Sequence, residues 1–109
     1  MDKDKIEQML KAVMSDRLVS HIMNKIYHYE VEGVVDPSEY KYRYPRDTQS
    51  IFIFLMSPDI SHGFGVPDDT VFAVRHGKSG HLYNFTKRFQ VWKNCVADCH
   101  KMIVLRPKA

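Results

Sequence analysis

From Ile6 the apolar positions of this chain fall at three- and four-residue steps: Ile6, Met9, Leu10, Val13 and Met14. That spacing is one stripe of an α-helix, and a stripe of that width needs a covering partner. A second set, Leu18, Val19, Ile22, Met23, Ile26 and Tyr27, repeats the period out of phase with the first. Ser15 or Asp16 between them suits an N-cap, whose side-chain oxygen accepts from the free amides of a helix start. Two helices with a break are therefore predicted, not one straight rod. The opposite side of the second helix carries Arg17, His21, Lys25 and His28, which reads as a solvated face.

After Tyr29 the period shortens. "EVEGVVDPSEY" predicts an extended piece ending in a turn at Asp36-Pro37-Ser38. In "YKYRYP", Tyr40, Tyr42 and Tyr44 alternate with Lys41 and Arg43, which puts rings on one side of a strand and cations on the other, with Pro45 at an end or an edge. "SIFIFLM", residues 50–56, is apolar at nearly every position and predicts a central strand buried on both faces. The loop "SPDISHGFGVPDD" follows, and then "TVFAVRH" and "HLYNFTKRF" predict two strands joined through "GKSG". In "FQVWKNCVADC", Phe89, Trp92, Val96 and Cys99 have helical spacing, and "KMIVLRP" predicts a last strand stopped by Pro107.

These elements make an α+β domain: two N-terminal helices packed on a mostly antiparallel sheet of four to five strands, with a short helix before the C-terminal strand. The 109 residues suit one domain, with 1–29 its helical part and 30–109 mainly sheet. At 44% hydrophobic and 27% charged residues the chain is ordinary globular and can build a core. No apolar run reaches the roughly 18 residues of a membrane span, and the charged start "MDKDKIEQML" is unlike a secretory signal. A cytoplasmic protein without a membrane partner is the expectation, with Cys95 and Cys99 as reduced thiols.

Charge divides the chain unequally. Residues 1–39 carry five Lys/Arg against eight Asp/Glu, net −3, whereas residues 40–109 carry eleven against five, net +6. The basic second part favours anionic partners through long-range attraction, and it also serves plain solubility.

The stretch "VRHGKSGHLYN" resembles the phosphohistidine loop of the histidine phosphatases and phosphoglycerate mutases over about a dozen residues. The resemblance implies a phosphorylated His76 and a phosphate-gripping Arg75. That family places its loop after the first strand and builds the rest of the site from a long downstream region, whereas only 33 residues follow His76. A tripeptide is not a site, so a hairpin with an incidental His-Gly is expected. "GKS" is likewise no phosphate-binding loop, because Phe72 stands where the first glycine is needed to let backbone amides cradle phosphate.

Two further sets carry candidate chemistry. Cys95, Cys99 and His100, with His62, His76 or His81, could supply metal ligands, but no partner pair has zinc-knuckle spacing and buried small hydrophobes account for the thiols. Asp59, His62, Asp68 and Asp69 gather in the 57–69 loop, where a His and a carboxylate make an acid–base pair if geometry brings them within about 3 Å. No cofactor and no metal are expected.

The remaining signal is "EYKYRYPRD". Rings interleaved with cations suit a protein interface and a base-stacking surface alike. The expected binding residues are Tyr40, Lys41, Tyr42, Arg43, Tyr44, Arg46, Arg75 and Lys78. The expected function is a small non-enzymatic binding or regulatory protein that docks on a larger macromolecule, a protein first, to modulate or inhibit it. Nucleic-acid binding through the basic residues of 40–109 is the alternative, and a small enzyme with a His/Asp site in 57–69 is third. A homodimer stays open.

Overall fold

The computed structural model describes residues 2–39, 49–77, 82–84 and 99–108. Helix α1, Lys3–Lys11, starts at Asp2, whose carboxylate accepts from the Lys5 amide at 2.9 Å. Helix α2, Asp16–Ile26, starts at Ser15, whose hydroxyl oxygen accepts from the Leu18 amide at 3.4 Å. The predicted break is there, and a side-chain cap satisfies one orphan amide at each start. At the far end of α2, the Lys3 ammonium donates to the Tyr27 carbonyl at 2.9 Å and lies 5.9 Å from the centre of the Tyr27 ring. Burial, and then the neighbouring Lys108 charge, hold the Lys3 pKa below the usual lysine range.

Five strands follow: β1 Tyr29–Val35, β2 Ile51–Met56, β3 Val71–His76, β4 Leu82–Asn84 and β5 Cys99–Pro107. They form one sheet in the order β1-β5-β2-β3-β4, with every neighbouring pair antiparallel. The all-apolar β2 holds the central position, as its sequence demands. Strand β5 lies between β1 and β2 and is not at an edge. Pro107 is its last residue, opposite Tyr29 in β1. Strand β3 pairs antiparallel with β4, with Arg75 opposite Leu82, and residues 78–81 of the predicted connection lie outside the described residues.

Alternation along β2 and β5 divides the core. Ile51, Ile53, Leu55, Ile103 and Leu105 face the helices and pack with Ile6, Leu10, Val19, Ile22 and Ile26. Phe52, Phe54, Met102 and Val104 face the other way and pack with Phe72, joined by Ile60 and Val66. Because both faces are covered, the strands read as continuous apolar runs and not as alternation. Phe52, Phe54 and Phe72 are fully buried, each contributing about 1.5–3 kcal/mol of burial.

Residues 57–69 are not all loop. Helix α3, Pro58–Phe64, occupies the first half, with Pro58 in its first turn and Gly65 closing it at φ 67°. Proline fits where no amide partner exists, and glycine takes the left-handed closing position at no steric cost. This short helix precedes the last strand, in the interval between β2 and β3. The helix expected over 89–99 falls on residues outside the described set except at its end. There Cys99 is the first residue of β5 and not helical. The expected tyrosine strand 40–45 also lies outside the described residues. Among those described, no helix is long and apolar enough to cross a membrane.

Candidate functional site

The helix-covered face of the sheet is left open at one corner. Val34 stands opposite Ile103 in the β1–β5 register and so shares its face, yet Val34 is 48% exposed while Ile103 is sealed. Beside Val34 is a cavity of about 300 Å³. Leu55, Met9 and Val34 give it an apolar side. Lys5, Lys101, Asp68 and Asp69 give it a charged one.

The two carboxylates are positioned by the turn after α3. Asp68 accepts from the fully buried Ser61 hydroxyl at 2.7 Å, and the same hydroxyl lies 3.0 Å from the Pro58 carbonyl. The His62 imidazole approaches Asp68 from solvent, at 3.3 Å and 74% exposed. Asp69 holds φ 61°, a conformation that Asp tolerates better than most side chains. Its carboxylate faces the Lys101 ammonium at 3.4 Å and His100 Nε2 at 3.9 Å. These are surface contacts worth at most about 1 kcal/mol apiece, and they orient the turn at the pocket mouth.

The expected acid–base pair is thus partly assembled. His62 and Asp68 meet, Asp59 sits in the exposed first turn of α3, and Asp69 turns toward β5. The nearest hydroxyl, Ser61, is sealed from substrate and spends its proton on Asp68, so the trio acts as a clamp between α3 and the following turn.

The candidate metal set can be followed only through its described members, Cys99, His100, His62 and His76. Among the described residues no group of three or more His, Cys, Asp or Glu side chains is placed to hold an ion. Cys99 is buried and donates to the Lys101 carbonyl at 2.8 Å, while His76 contacts Tyr29. Cys95 and His81 lie outside the described residues. Nearby, Asp36 is held below the usual carboxylate range, chiefly by hydrogen bonds from the Ser38 side chain and amide; His100 adds a smaller pull, and burial opposes both.

Of the expected binding residues, Tyr40, Lys41, Tyr42, Arg43, Tyr44, Arg46 and Lys78 lie outside the described residues. Arg75 is opposite Phe52 and therefore on the face away from the helices. It is half-buried, and its Nε is buried without a hydrogen-bond partner. Of the other described bases in the second part, Lys101 faces Asp69 and Arg106 donates to Glu30 at 2.7 Å.

The corner at Val34 was not legible in the chain. Val34 stands in a Val34–Val35 pair between Gly33 and Asp36, a pattern that does not tell an exposed strand residue from a buried one. The large hydrophobic residues exposed among those described are Tyr27, at 68%, just before β1, and Val34, near its end. No family model matches this chain, and neither a curated protein nor a solved structure matches it.

Proposed function

We propose that this chain is a small binding module that docks on a larger protein through the flank of β1 and the pocket beside it. One observation carries the proposal: among the described residues β1 is an edge strand, exposed Tyr27 just precedes it, and exposed Val34 near its end opens onto a cavity with an apolar side and a charged rim. Protein interfaces have that anatomy, with an apolar anchor point ringed by polar groups that exclude water. Open sheet edges add the backbone groups that a partner strand can use.

The test is a photo-crosslinking amino acid placed at position 34, with position 17 on the exposed side of α2 as control, in cells that make the protein. A discrete protein adduct is expected from position 34 and not from 17. Excess untagged wild-type chain should compete it away, and excess Val34→Glu chain should not. If both positions label the same background, the surface does not dock. A nucleic-acid adduct would move the function to the basic second part.

A further inference from the structure

The cavity beside Val34 has one unmet charge. Asp69 faces Lys101 and His100, and Asp68 accepts from Ser61 and meets His62. Lys5, in the first turn of α1, lines the same space and is exposed, and among the described residues its ammonium takes no ion-pair partner. Met9, Val34 and Leu55 give the space its apolar wall. An occupant that satisfies both carries an anionic group directly beside an apolar body.

The space also limits the size of that occupant. About 300 Å³ holds about ten water-sized groups at roughly 30 Å³ each, which is the scale of one amino-acid residue. An internal aspartate or glutamate brings a carboxylate but only a short methylene stem for the apolar wall. A chain's amino terminus brings a cation, to aspartates that already have donors. A C-terminal aliphatic or aromatic residue carries its carboxylate and its apolar side chain on the same Cα. A free acid of that size has the same chemistry, but an exposed ion pair and one covered side chain hold it no more tightly than about millimolar. Joined to a docked protein, the same contacts add to an interface and need not carry association alone.

We infer, resting on the docking proposal above, that the cavity takes the C-terminal residue of the partner protein, with its α-carboxylate at the Lys5 ammonium and an aliphatic or aromatic side chain against Met9, Val34 and Leu55. Lys5 then selects for chain ends: an internal apolar residue covers the wall but leaves the ammonium to water.

The experiment selects a phage library of random heptapeptides with free C-termini on the full chain at physiological salt. Each enriched peptide is then made as the acid and as the C-terminal amide and titrated by fluorescence anisotropy. The enriched peptides should end in an aliphatic or aromatic residue. The amide should bind about twofold to fivefold more weakly than the acid, the range of an exposed ion pair. Lys5→Ala should bring the acid down to the level of the amide and leave the amide unchanged, whereas Val34→Glu should weaken both about tenfold or more, the loss typical of a buried anchor. Circular dichroism confirms that each variant is folded, and Val34→Thr serves if Val34→Glu is not. Amides that bind as well as acids, or a gap between them that survives Lys5→Ala, would overturn the terminal carboxylate while leaving the docking site standing. Peptides indifferent to both Val34 variants would overturn the docking site itself. Phenylpropionate that binds as tightly as the peptides would give the cavity to a free acid, and enrichment no greater than on an unrelated protein overturns the inference.

Discussion

The Tyr29 hydroxyl lies 3.1 Å from Nε2 of His76, and the two rings meet edge to face with centroids 6.4 Å apart. Tyr29 begins β1 and His76 ends β3, so the contact reaches over the two strands between them. The histidine of the Arg-His-Gly stretch is therefore part of the packing at one end of the sheet. Tyr29→Phe should cost about 1 kcal/mol, the net worth of one hydrogen bond, and His76→Ala about 1–3 kcal/mol, both read by denaturant titration. Incubation with small phosphodonors should leave no acid-labile phosphate on the wild-type chain. A phosphohistidine at position 76 would make this contact a catalytic one.

Phe54 is sealed, and its ring lies 6.2 Å from that of Phe72. Truncating it removes burial and leaves a cavity that a two-sided sheet cannot collapse. Phe54→Ala should cost about 3–5 kcal/mol, a large share of the roughly 5–15 kcal/mol of a whole domain, and Phe54→Leu markedly less. Guanidinium midpoints compare the two. Equal losses would mean that the site relaxes around the change.

Ser61 and His62 are neighbours with opposite fates. Ser61 is sealed and ties Asp68 to the start of α3, whereas His62 stands in solvent. Ser61→Ala should cost about 1–2 kcal/mol through the lost buried hydrogen bonds, and His62→Ala should stay within about 0.5 kcal/mol as a surface change. The reverse order in urea titration would show that the imidazole and not the hydroxyl holds the turn.

Asp36 gives the fold a pH dependence of known sign. Its Oδ1 accepts from the Ser38 amide at 2.8 Å, and the carboxyl pKa sits below its usual 3.8. A depressed pKa means that the folded state favours the ionised form, so its contribution is full above the unfolded value and lost as pH falls through the folded one. The stability difference between wild type and Asp36→Asn should be constant at neutral pH and shrink below about pH 4, near the unfolded carboxylate value. Urea titrations from neutral to acid check this. A gap that widens on acidification would assign the effect to another group.

How much of this was visible in the chain follows from how local each signal is. The break at Ser15 was legible because a cap is a property of a few adjacent residues. The burial of β2 was legible because "SIFIFLM" has no polar face to expose. Helix α3 was missed because seven residues with only Ile60 and Phe64 at helical spacing show too little period, although Pro58 and Gly65 marked both its ends. The place of β5 was not legible, since pairing order is decided by partners far along the chain. The corner at Val34 was hidden for the same reason: the cavity beside it is lined by Lys5 and Met9 of α1 and by Asp68 and Asp69, all distant in sequence.

The position of β5 also sets when the protein can fold during its own synthesis. Residues 99–107 supply the strand that joins β1 to β2, so until they emerge the β2–β3 pair and the helices with β1 are two pieces with no ladder between them among the described residues. Both pieces then hold apolar surface in water, and such surface aggregates or recruits chaperones. A translational pause or premature stop before Cys99 would therefore leave the nascent chain with its core in two exposed parts, and β5, made after β1, β2 and β3, is the strand that determines whether they survive.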